Sequence, residues 1–156
     1  MAIEIKDYKT SYNLTTKQLI AYDTYTHEEL INIINELFDN KVCCIYVSFD
    51  VYSKDFRKLG FKKFEDGYYL DNNNQCYIYV LRCTNGHLYT GWTNRLHQRI
   101  FNHLNKEGAK YTKAFGPCEL VYYEVFASKQ EAMKREYEIK QFTRAQKEQL
   151  ILFKNQ

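Results

Sequence analysis

This chain of 156 residues contains one proline, six glycines and no apolar run longer than Val42 to Val47. So little proline and glycine excludes a collagen-like or low-complexity polymer. Apolar runs that short exclude a bilayer-spanning helix, which needs about 20 apolar residues. No basic start followed by an apolar stretch marks a secretory leader, so no membrane association is expected. Cysteine is sparse and unpatterned: Cys43, Cys44, Cys76, Cys83 and Cys118 are odd in number and form no C-x-x-C. A reducing intracellular location, cytoplasm or nucleus rather than secretion, is the expectation.

What the chain has in quantity is aromatic side chains, 15 Tyr and 10 Phe, most of which must simply fill cores. At this length folding buries roughly two-thirds of the unfolded surface, enough for one ordinary core or two small ones. The formal charge is only +3, but it is unevenly placed. Residues 1–73 hold 9 Lys+Arg against 12 Asp+Glu, and residues 74–156 hold 13 against 7, giving −3 and +6. A polyanion is therefore expected to meet the second half.

The polar cluster Asp71-Asn-Asn-Asn74 marks the expected boundary, separating domains 1–73 and 74–156. In the first, Thr26-His-Glu-Glu29 is a capping box opening a helix with Leu30, Ile33, Ile34, Leu37 and Phe38 on one stripe. Cys43 to Phe49 reads as a strand, Ser53 to Leu59 as a short helix stopped by Gly60, and Phe61 to Leu70 as a hairpin turning at Asp66-Gly67. The region is thus a small acidic α/β element. Phe56-Arg-Lys-Leu-Gly-Phe61 and the following hairpin faintly resemble the last third of a GNAT-type acetyltransferase, in architecture only, since a Gly-rich pyrophosphate loop is missing. The sequence assigns no role to residues 1–73; contact with a protein partner is one reading open to them.

In the second half, Tyr77 to Cys83 and His87 to Trp92 are aromatic and β-branched runs joined through Thr84-Asn85-Gly86. A helix follows from Asn94 to about Lys106, then a strand from Leu120 to Phe126. Ser128-Lys-Gln-Glu131 opens a helix to about Gln141, and Thr143-Arg-Ala-Gln146 caps a last one. The order β-β-α-β-α-α predicts an α+β module with a three-stranded sheet and flanking helices.

Three features of this half suggest chemistry. Arg99 and His103 stand one turn apart beside the apolar arc of Leu96, Ile100 and Leu104, where a solvated flank is the commoner explanation. Glu136 falls inside the arc with Ala132, Met133, Tyr137 and Ile139, while Glu131, Lys134, Arg135 and Glu138 point away. An inward carboxylate must be paired, protonated or bound to a metal, and an ion pair with Lys140 or Arg99 is as good an explanation as a metal. Finally, a three-residue loop with Gly86 at positive φ puts Tyr89 opposite Leu81, on the same side as Tyr79. A two-residue turn separates them.

Taken together, Tyr77-Ile-Tyr79, Tyr89-Thr-Gly91, Asn94, Arg99, His103 and Ala132-x-x-x-Glu136-x-x-Ile139-Lys140 resemble the GIY-YIG nuclease superfamily. Tyr77-Ile-Tyr-Val-Leu-Arg-Cys83, Gly108-Ala-Lys-Tyr-Thr112 and Leu120-Val-Tyr-Tyr-Glu124 are most similar to its small stand-alone members. The resemblance implies an endonuclease that hydrolyses phosphodiesters with one divalent ion, Mg²⁺ or Mn²⁺, held by Glu136. It implies that Tyr79 and Tyr89 orient or deprotonate water, that Arg99 contacts the scissile phosphate, and that His103 assists. Arg82, Trp92, Lys106, Lys110, Tyr111 and Lys113 are the candidate nucleic-acid contacts. DNA is the expected partner, with RNA open, and a catalytically weak nucleic-acid-binding module is the alternative reading. The sequence departs from the pattern at Tyr77, where the family name has glycine, and at Gln98, where some members are basic.

Overall fold

The computed structural model describes residues 3–9, 14–22, 24–50, 54–64, 67–104 and 118–154. They divide into two compact units, Met1–Asn72 and Asn73–Gln156.

In the first unit β1 (Ile3–Lys9) and β2 (Thr15–Ala21) form an antiparallel pair, and α1 (His27–Asp39) crosses to β3 (Cys44–Ser48), which runs parallel to β2. The short α2 (Lys54–Lys58) leads to β4 (Lys62–Phe64) and β5 (Gly67–Asp71), completing a sheet of order β1-β2-β3-β5-β4. The Thr26 hydroxyl accepts from the Glu29 amide at 3.1 Å, and Leu30, Ile34, Leu37 and Phe38 are buried, as the capping box and stripe predict. At the other end of α1 the buried Asn72 amide donates to the carbonyls of Phe38 and Val42, at 3.1 and 2.9 Å. Gly67, expected in the turn, is instead a strand residue paired with Ser48 and Phe64, and Asp66, the other residue of the predicted turn, lies outside the described residues. The strands β1 and β2 were not predicted at all. The burial of β2 does not alternate, so period-2 patterning could not show it.

The second unit is the α+β module expected: β6 (Cys76–Cys83), β7 (Leu88–Thr93), α3 (Leu96–Leu104), β8 (Cys118–Phe126), α4 (Lys129–Lys140) and α5 (Arg144–Lys154). Its sheet is antiparallel, in the order β7-β6-β8. Two caps form as predicted. The Ser128 Oγ accepts from the Glu131 amide at 3.2 Å, and Thr143 and Gln146 bond reciprocally, backbone to side chain, at 2.8 and 3.2 Å. Ile78 and Val80, on one sheet face, share a core with Tyr122 and with Ala132, Ile139 and Ile151 of the two last helices. Among the described residues no helix is long and apolar enough to cross a membrane.

One detail of α4 differs from expectation. Met133 and Tyr137 are exposed, whereas Arg135 is half-buried, donating to Glu124 of β8 at 2.8 Å and to Glu138 at 2.6 Å. The inward arc is therefore centred on Ala132 and Ile139 and extends toward Arg135, because an acidic partner on β8 receives the guanidinium.

Candidate active site

The hairpin determines which side chains meet. Cys83 and His87 close a three-residue loop: the Gly86 amide donates to the Cys83 carbonyl at 2.8 Å, the Cys83 amide to the His87 carbonyl at 2.9 Å, and Gly86 sits at φ +87°. That left-handed residue suits glycine. Asn85 Oδ1 accepts from the His87 amide at 3.0 Å, and Arg144 donates to the Gly86 carbonyl at 2.7 Å. With this loop Leu81 pairs with Tyr89 and Tyr79 with Gly91, so both tyrosines lie on one face, their ring centroids 6.3 Å apart.

Gly91 has a separate reason to be glycine. A Cβ there would lie 2.5 Å from the Tyr79 hydroxyl oxygen and 2.7 Å from its ring carbon Cζ. The Tyr79 ring thus lies across the bare backbone of β7, and it is fully buried. Gly91→Ala is expected to destabilise this unit by about 1–3 kcal/mol, an overpacking cost, seen as a lowered unfolding midpoint. In a Tyr79→Leu background, where the clashing atoms are gone, the same substitution should cost less; equal costs would show that the ring is not what excludes the methyl.

Burial is the main reason the Tyr79 hydroxyl is pushed well above the ordinary tyrosine range. Tyr89, through its charge and a hydrogen bond, and Glu136 push in the same direction, while Arg99 opposes them. Tyr79, Tyr89, Arg99 and Glu136 therefore act on a common electrostatic environment, although they come from β6, β7, α3 and α4. Tyr77, at the departure from glycine, is buried and accepts from Gln75 Nε2 at 2.6 Å, so it is a packed core phenol.

Glu136 is only 17% exposed, and its Oε1 lies 2.9 Å from Lys140 Nζ, itself 52% exposed. Of the explanations open for this carboxylate, the ion pair with Lys140 is present. It leaves a metal role open, since the half-exposed ammonium can move away. Among the described residues no three His, Cys, Asp or Glu side chains cluster to hold a metal. A hard ion that takes one carboxylate and completes its shell with waters and substrate oxygens would find its protein ligand in Glu136.

The other predicted contacts do not gather here. Arg82 lies three positions after Tyr79, an odd offset that turns it to the opposite sheet face, where it forms a two-pronged pair with Glu148 of α5 at 2.7 and 2.9 Å. Trp92 pairs with Ile78 on that same face, packed against the core with Lys129 Nζ 5.3 Å from its ring centre. Strand parity in the sequence was the signal that would have placed both there. His103 falls in α3 one turn after Arg99. Lys106, Lys110, Tyr111 and Lys113 lie outside the described residues.

The three-stranded antiparallel sheet with its flanking helices is the part of the chain that a known family matches. Residues 75–149 match the model of the GIY-YIG catalytic domain, and the chain belongs to that nuclease family. Its relatives include small UPF0213 proteins. One from Clostridium perfringens is 56% identical over 79 residues, spanning 51% of this chain and 85% of its own length. Another, from Staphylococcus saprophyticus, is 53% identical over 75 residues, 48% of this chain and 92% of its own. The solution NMR structure of a Bacillus halodurans UPF0213 protein is 46% identical, covers 51% of this chain and 85% of its own, and aligns with a TM-score of 0.36.

Proposed function

We propose that this chain is a divalent-metal-dependent endonuclease that hydrolyses phosphodiester bonds in DNA through its second unit. The observation that carries the reading is the match of residues 75–149 to the GIY-YIG catalytic domain, on a hairpin that sets Tyr79 and Tyr89 on one face with ring centroids 6.3 Å apart. Arg99 is exposed and, among the described residues, makes no ion pair, so its fork of donors is open to a phosphate. Tyr79 stays a neutral phenol at physiological pH, and its part is to hold Tyr89 rather than to remove a proton. Tyr89, half-buried, presents the hydroxyl that orients the attacking water. A bound divalent ion supplies Lewis-acid charge to the phosphoryl oxygens.

Cleavage of supercoiled plasmid and a panel of branched duplexes, with Mg²⁺, Mn²⁺ or chelator, tests the reading. Arg99→Ala is expected to lower kcat by about a hundredfold, because it removes a contact to charge that grows in the transition state. Arg99→Lys should recover only part of this, since a point charge lacks the fork. Cleavage that persists in chelator, or an unaffected Arg99→Ala, refutes the reading. Duplex binding without any metal-dependent turnover points instead to a nucleic-acid-binding module.

A further inference from the structure

One turn before Arg99, Arg95 stands at the start of α3, and the two share a cleft of about 160 Å³ with Thr93, Gln98 and Asn102. Both arginines are exposed, and among the described residues neither guanidinium lies within ion-pair distance of a carboxylate. The helix Leu96–Leu104 carries no acidic residue. Thr93 Oγ1 accepts from the Arg95 amide at 3.0 Å, which fixes where α3 begins and leaves the hydroxyl proton to donate. The positive end of the helix dipole adds to the same field. Two guanidiniums, two amide side chains and a hydroxyl around a concavity with no carboxylate form a lining suited to an anion.

We propose that this cleft is a second phosphate site, in which Arg95 binds the phosphodiester next to the one that Arg99 contacts. The inference rests on the nuclease reading and adds to it the direction in which the strand leaves the reacting centre. Four helical residues advance about 6 Å along the axis, a step comparable with that between neighbouring phosphates of one strand. Because Arg95 grips a phosphate that does not react, it favours ground and transition states alike. Arg95 also makes up for the missing basic residue at Gln98.

The test uses the full chain and a short DNA duplex in chelating buffer, with affinity followed by fluorescence anisotropy over a salt series. Arg95→Ala should weaken binding and flatten the slope of log K against log salt by about 0.9, one released counterion. Arg95→Lys should keep the slope. With metal restored, Arg95→Ala should raise KM and leave kcat nearly unchanged. An Arg95→Ala slope equal to wild type overturns the second site while leaving the nuclease reading intact. An equal fall in kcat and kcat/KM overturns it too, by placing Arg95 at the reacting atoms. Failure of the wild-type chain to bind the duplex refutes both.

Discussion

Glu136→Gln should reduce metal-dependent DNA cleavage by about a thousandfold or more, with little change in unfolding stability. The glutamine keeps the size and removes the charge, so it separates the chemistry from the packing. Stability should change little because the partner of Glu136 is a half-exposed Lys140 at i+4 on α4, and such pairs contribute about 0.3–0.5 kcal/mol. The catalytic loss should be large because, among the described residues, no cluster of other ligands stands ready to hold the ion. Lys140→Ala is the informative companion. If Glu136 serves only to pair with Lys140, both variants should behave alike. If it holds the ion, Lys140→Ala should retain most of the cleavage that Glu136→Gln loses. Turnover measured under saturating Mn²⁺ and Mg²⁺, beside thermal unfolding of both variants, decides between them.

How much of this was legible in the sequence varies with the range of the interaction that fixes each feature. Thr26, Ser128 and Thr143 announce their helices because a cap is satisfied within three residues. The shared face of Tyr79 and Tyr89 follows from one glycine, Gly86, whose positive φ sets the loop length and with it the register of the whole hairpin. Arg135 was misread because its place depends on Glu124, on another element. Likewise β2 was invisible because its burial is imposed by β1 and β3 on either side rather than by its own alternation. Arg95 was passed over although it lies one helical turn from Arg99; an apolar arc shows which residues point inward but not that two outward ones share a cleft. That Tyr79 lies over Gly91 gives the Tyr-Thr-Gly91 element a steric meaning that no spacing rule contains.

Acid should loosen the second unit well before its carboxylates titrate. His97 in α3 is 1% exposed, and burial lowers its pKa from 6.5 to about 4. In the unfolded chain it titrates near 6.5. Between those values the unfolded state takes up a proton that the folded state refuses, so stability is full above about pH 6.5 and is lost as pH falls toward 4. The depression corresponds to a loss of about 3 kcal/mol over that window, large beside the 5–15 kcal/mol of a typical domain. Carboxylates add their own acid sensitivity lower down. The pair with Arg82 holds Glu148 below the usual carboxylate range, so its contribution is lost only as pH falls from about 4.5 downward, overlapping just the acid end of the His97 window. Denaturant unfolding of wild type and His97→Gln across this range separates the two: the variant should show a flat profile down to about pH 5 where wild type slopes. Parallel profiles would mean that His97 does not hold the charge balance assigned to it. Because His97 is buried in the first turn of α3, its protonation places a charge out of water and works against the docking of that helix. DNA cleavage should therefore fall in acid along with the unfolding midpoint in wild type, and His97→Gln should shift both to lower pH.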